Sequence, residues 1–184
     1  MRISQLPRRH FFQLWAVLGL QGFFRPPVEI CAACPGPVIP DSLALSPVQV
    51  ATLRAIAEQL IPRDQDPGAQ EAGVIDYISK LLGDEQADKL PLYVGGLIGT
   101  DETSLLMFSR SFVQLTATEQ ENVLKAIESG RAEGTTWQTI PSETFFATVW
   151  NHVLESFYGT PAHGGNKNYA SWKMMGFPEH SGAM

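Results

Sequence analysis

SPVQVATLRAIAEQLIP, residues 46–62, reads as a complete helix with both ends marked. Ser46 supplies a cap, Pro47 suits the first turn, and Gln49 completes a capping box. Val50, Leu53, Ile56, Ala57, Leu60 and Ile61 recur at helical spacing and form one apolar face. Pro62 ends the run. The same pattern returns in LTATEQENVLKAIESG, residues 115–130. There Thr116 or Thr118 caps, Glu119 and Glu121 sit near the positive end, and Gly130 stops the helix. A further helix starts at Ser142 and runs to Phe157. Phe145, Val149 and Val153 line one face, with Trp150, Leu154 and Phe157 beside it.

The stretches between are less regular. Asp64, Asp66, Pro67 and Gly68 predict a turn, followed by a helix from about Ala69 to Leu82. A calcium loop needs oxygen ligands at alternate positions and a distant Glu, and Asp64 and Asp66 match only a fragment of it. Residues 85–99 read as weakly helical, broken by Pro91 and Gly95-Gly96. That glycine pair lacks the third glycine of a dinucleotide fingerprint. Another helix is expected over Asp101–Leu115, with Leu105, Leu106, Phe108 and Phe112 as its apolar residues. No run of alternating β-branched residues calls for a sheet. The expected fold is all-α: one compact domain of five or six helices with an irregular, aromatic C-terminal tail.

Length and composition fit that reading. The chain has 184 residues, 44% apolar and 17% charged, enough for a single hydrophobic core. The net charge is −6. The first 34 residues hold Arg2, Arg8, Arg9 and Arg25 against Glu29, so the remainder has nine basic and eighteen acidic residues, a net −9. Such a body is a poor match for nucleic acid, which needs a Lys/Arg surface. The two cysteines, Cys31 and Cys34, stand as C-A-A-C followed by Pro35, not the histidine that c-type haem attachment needs. Two thiolates fall short of a zinc or iron–sulfur quartet. The readings left are a plain pair in a leader and a thiol-redox or inter-subunit disulfide function. His152 lies on or near an apolar helical face and reads as a hydrogen-bonded core histidine, with no Ser or Cys nucleophile placed beside it.

The N-terminus reads as an export address. Residues 1–10 are basic and polar, and Phe11–Phe24 form an apolar run of 14 residues, short of the roughly 20 that span a membrane. The string Pro7-Arg8-Arg9-His10-Phe11-Phe12 looks like a twin-arginine signal, with Arg8, Arg9 and Phe11 as its signal residues and Pro7 its departure. Such signals are receptor-read addresses for folded cargo, not anchors. Cleavage after Cys31-Ala32-Ala33, cleavage after Ser42-Leu43-Ala44, and retention of the leader all stay open. The expected division is an export leader over 1–34, a Pro-rich linker over 35–45 and a helical domain over 46–184.

The C-terminal stretch YGTPAHGGNKNYASWKMMGFP, residues 158–178, concentrates glycines, amides and aromatics without a catalytic group. Gly159 stops a helix, His163-Gly164-Gly165-Asn166 predicts a tight irregular turn, and Asn166 and Asn168 can bond to local backbone. Tyr169, Trp172, Met175 and Phe177 then offer apolar bulk before Gly176 and Pro178. Such a tail either caps its own core or docks a partner, and one face can do each.

Two stretches carry a family resemblance. Ile61-Pro62, Asp64, Pro67-Gly68-Ala69 and Glu71-Ala72-Gly73-Val74 form the first, and Gly164-Gly165-Asn166 with Trp172, Gly176 and Pro178 the second. Together with the twin arginines they resemble the gluconate 2-dehydrogenase subunit 3 family, over roughly residues 46–178. The resemblance implies a non-catalytic small subunit without its own cofactor. The implied partner is a flavin-dependent dehydrogenase large subunit of the glucose–methanol–choline class, carrying FAD and oxidising a sugar, sugar acid or glycoside. A cytochrome c subunit or another carrier would take the electrons. The small subunit would stabilise the large one and lend it export to the periplasm, with membrane association through the complex. Tyr158, Gly164, Gly165, Asn166, Tyr169, Trp172 and Phe177 are the expected partner interface. The alternative is a stand-alone exported helical binding protein with thiol-redox function at Cys31 and Cys34.

Overall fold

A computed structural model describes residues 45–177. The leader residues Arg8, Arg9 and Phe11, the cysteines Cys31 and Cys34, the linker up to residue 44 and Pro178 lie outside the described residues. Six α-helices follow in order: α1 Pro47–Leu60, α2 Val74–Gly83, α3 Leu90–Phe108, α4 Ala117–Glu128, α5 Ser142–Tyr158 and α6 Ala170–Met175. Short 3-10 turns punctuate them at Ala87–Lys89, Phe112–Gln114, Thr136–Gln138, Pro161–His163 and Lys167–Tyr169. Among the described residues there is no strand, so the all-α expectation holds.

The marked helix ends form as written. At α1 the Ser46 hydroxyl accepts from Gln49 N–H, and the Gln49 side chain accepts from Ser46 N–H at 2.9 Å. At α4 the cap is Thr116, not Thr118; Glu119 reaches back to Thr116 N–H at 2.8 Å. That amide and the Thr116 hydroxyl, with Arg110 nearby, hold the Glu119 carboxyl below the usual carboxylate range. Gly130 closes the helix at φ +70°.

Two boundaries move. The second helix begins at Val74, not at about Ala69, because Gly73 takes a left-handed φ of +73° and residues 69–73 coil as turns. The expected break near Gly95-Gly96 is absent. A single helix runs from Leu90 to Phe108, with Pro91 harmless in its first turn. It ends at Ser109 (φ +54°), so Phe112 enters the core from a separate turn.

The glycines of α3 serve packing. A Cβ on Gly95 would lie 2.1 Å from Ile140, one on Gly96 2.0 Å from the Phe145 ring, and one on Gly99 2.6 Å from Trp137. They let α5 and the turn before it approach the α3 backbone. Gly96 faces Phe145 and Tyr93 faces His152, so α3 and α5 run antiparallel. Around this pair α1, α2 and α4 close the core, which is filled by Leu53, Ile56, Ile78, Leu97, Ile127 and Phe157. Each such side chain contributes roughly 1.5–3 kcal/mol by leaving water.

Helix propensity alone says that Gly96→Ala should stabilise by about 1 kcal/mol. The packing says otherwise. Phe145 is buried, with Tyr93 edge-on at 6.3 Å and Trp137 at 5.9 Å. Overpacking a site of this kind costs about 1–3 kcal/mol. The expected result is a net loss, read as a lower urea midpoint. A raised midpoint would mean that Phe145 swings clear.

Candidate partner-docking surface

The C-terminal segment begins where α5 stops. Gly159 N–H donates to Glu155 O at 2.8 Å, and the chain then turns through Pro161–His163 to Gly164 at φ +97°. Gly165 follows against the last turns of α5, where a Cβ would lie 2.4 Å from the Ser156 carbonyl oxygen. Asn166 is fully buried at φ +44°. Its Nδ2–H donates to Gly159 O and its Oδ1 accepts from Ser171 N–H, both at 2.9 Å. One side chain thus ties the end of α5 to the start of α6. Asn168 (φ +56°) and Tyr169 (φ +57°) complete a run of left-handed residues that sets the direction of α6.

Trp172 is held from below. Its indole N–H donates to Tyr158 O at 3.1 Å, satisfying a carbonyl at the end of α5. Tyr169 and Phe177 flank it with ring centroids at 5.7 and 5.6 Å. Of the seven expected interface residues, Gly165 and Asn166 are buried and shape the segment from within. Tyr158, Tyr169 and Trp172 are half-buried, Gly164 is exposed, and Phe177 is 53% exposed. Met175, 50% exposed, adds to the outward apolar surface.

The two stretches that carry the family resemblance meet in space. Lys167 N–H donates to Ala72 O at 3.0 Å. The Lys167 stem lies across Gly73, where a Cβ would come within 2.5 Å of its Cδ, and its ammonium pairs with Asp76. The earlier stretch is braced by its own bonds. Asp64 Oδ1 accepts from Asp66 N–H at 2.8 Å, the turn role expected of it, and Glu71 accepts from Gly68 N–H at 3.0 Å. Asp66, Pro67 and Glu71 then face Lys167, Lys173 and Met174 across a shallow groove. Sequence reading did not find the Lys167 clasp, because its partners stand 91 and 95 positions earlier.

A match to the family model for gluconate 2-dehydrogenase subunit 3 covers residues 47–178. The chain belongs to the gluconate 2-dehydrogenase subunit 3 family. It is thereby a subunit of a dehydrogenase complex. No curated protein and no solved structure matches it. Both resemblance stretches lie inside the range matched to the gluconate 2-dehydrogenase subunit 3 family.

His152 of this subunit is a core residue. Its Nδ1 lies 2.8 Å from the Tyr93 hydroxyl, with the two rings stacked at 5.8 Å. Burial lowers its pKa, and Lys89 adds to that, against an opposing pull from Glu155. Burial also raises the Tyr93 pKa, and burial with a bond to Glu155 pushes Tyr77 up to about 12. A histidine with a lowered folded pKa takes up more protons when unfolded. Its contribution to stability is full above the unfolded value of about 6.5 and is lost as pH falls through the folded value. The expected urea midpoint falls from pH 7.5 to pH 5, and His152→Gln flattens that fall. Glu102 and Glu119, both lowered, act with the same sign but at lower pH. An unchanged pH profile in His152→Gln would remove histidine as the cause.

Proposed function

We propose that this chain is a non-catalytic small subunit that binds, stabilises and escorts for export a flavin-dependent dehydrogenase large subunit. The large subunit is of the glucose–methanol–choline class, holds the FAD, and oxidises a sugar, sugar acid or glycoside. A cytochrome c subunit or another carrier accepts its electrons. The twin-arginine signal at Arg8-Arg9 carries the folded pair to the periplasm, where the complex associates with the membrane.

One observation supports this reading most. The C-terminal segment is fixed from within by Asn166 and by the Trp172–Tyr158 bond, while Met175 and Phe177 are exposed and Tyr169 and Trp172 half-buried beside them. A fixed aromatic surface loses little entropy when it docks, and aromatic residues dominate binding energy at interfaces. A partner that binds only the folded large subunit then stabilises it by mass action.

Expressing the large subunit with and without this chain tests the proposal, with flavin-loaded periplasmic dehydrogenase as the readout. Loss of that activity without the chain is expected, and a normal yield would overturn the reading. Trp172→Ala is the sharper variant. A hot-spot loss of about 2 kcal/mol corresponds to roughly 30-fold weaker association. A stable monomer that recovers no flavoprotein and shows a redox-active Cys31–Cys34 pair would favour the stand-alone binding protein instead.

A further inference from the structure

Residues 166–169 aim α6, and the run is strained. Asn166, Asn168 and Tyr169 take φ of +44°, +56° and +57°. Asparagine tolerates the left-handed region, but a bulky residue such as Tyr169 is an outlier there. Strain of this kind persists only where the surroundings hold it, and it clusters where position serves function. Asn166 holds one side of the run through Gly159 O and Ser171 N–H. Those bonds join α5 to α6 and do not reach α2.

Lys167, in the middle of the run, does reach it. Its N–H donates to Ala72 O at 3.0 Å, its stem lies across buried Gly73, and its ammonium pairs with Asp76. The three contacts differ in kind. The backbone bond is open to any residue at this position, and one bond alone acts as a hinge. The ion pair contributes little, because the Lys167 and Asp76 side chains are 49% and 69% exposed. The ammonium also stands beside the first turn of α2, the end of a helix that disfavours a cation, and Asp76 in that turn offsets it. The stem is different. A Cβ on Gly73 would come within 2.5, 2.6 and 2.9 Å of its Cδ, Cε and Cγ, so the hydrocarbon chain seats along the glycine. Gly73 takes φ +73° at the start of α2, so its bare backbone is both the seat of the stem and the cap of the helix.

We propose that Lys167 is a positioning residue for the docking surface. Its stem, seated on Gly73, sets where α6 stands against α2, and with it the exposed Met175 and Phe177; it does not itself touch the large subunit. This rests on the escort reading above and names the residue that orients its surface. Without the stem, α6 sways about the Asn166 tether and the Lys167–Ala72 hinge. A surface that must be re-ordered on docking binds more weakly.

The experiment co-expresses the large subunit with the unaltered chain, with Lys167→Ala and with Lys167→Met, which keeps an apolar stem and removes the charge. Co-purified flavoprotein is measured beside the melting temperature of the free chain and its amide exchange at position 167, which reports the bond to Ala72. For Lys167→Ala the expected result is a tenfold or greater loss of co-purified flavoprotein and faster exchange, with the melting temperature little changed. Lys167→Met is expected to restore both. Unaltered recovery with Lys167→Ala overturns the proposal while leaving the escort reading intact. Equal loss in both variants with unchanged exchange means that the ammonium itself meets the partner, which also overturns it. A loss that follows a large fall in melting temperature reduces Lys167 to a residue of the fold, with the same consequence. An unaltered chain that recovers no large subunit at all sinks the escort reading, and the docking role of Lys167 with it.

Discussion

Gly165→Ala is expected to cost about 3 kcal/mol or more and to strip the chain of its docking surface. The added methyl would sit 2.4 Å from the Ser156 carbonyl oxygen and 2.6 Å from its hydroxyl. The carbonyl oxygen cannot retreat, because Ser156 is buried within α5 and its carbonyl direction is set by the helix. The segment must lift instead, and lifting it breaks both side-chain bonds of Asn166. Overpacking of about 1–3 kcal/mol then adds to the loss of buried hydrogen bonds. Gly164→Ala is the control. It sits at φ +97° with nothing within 4 Å of an added Cβ, so only left-handed strain of about 1–2 kcal/mol applies. Urea unfolding of the two variants separates close approach from conformation. Equal losses would show that Gly165 has room after all.

Asn166→Ala is expected to match it, at about 3–5 kcal/mol. The residue is buried, and its removal leaves Gly159 O and Ser171 N–H without the partners they now have. A buried group left unsatisfied costs about 1–3 kcal/mol, and alanine at φ +44° adds about 1 kcal/mol more. Two further substitutions divide the effect. Asn166→Gly relieves the backbone strain and recovers only about 1 kcal/mol. Asn166→Asp keeps an acceptor for Ser171 but turns an oxygen towards the Gly159 carbonyl, so it fails to rescue. Rescue by aspartate would mean that the Gly159 contact contributes little. In the complex, both alanine variants are expected to lower recovery of active dehydrogenase in step with their loss of stability.

Much of this fold was legible because helix ends are local chemistry. Ser46 with Gln49 and Thr116 with Glu119 each close a capping box within four residues. The tail's glycines and Asn166 signalled an irregular turn for the same reason, and His152 read correctly as a core histidine. Gly95 and Gly96 misled, since a glycine that breaks a helix and one that admits a neighbour look alike in sequence. Leu105, Leu106 and Phe112 read alike as apolar residues of one helix, yet the two leucines are exposed and Phe112 is buried. Which apolar residues of a helix face their own chain depends on where the other helices lie.

The sequence by itself determined the helices, their caps, the acidic body and the two stretches that place the chain in its family. Only tertiary structure decided that those stretches form one face. They lie about ninety residues apart, and they meet through a lysine stem laid over a glycine and a backbone bond from Lys167 to Ala72. Local patterns fix local conformation because the bonds that satisfy them span a few residues. A composite surface depends on which distant backbones approach, and that is settled by the packing of the whole core.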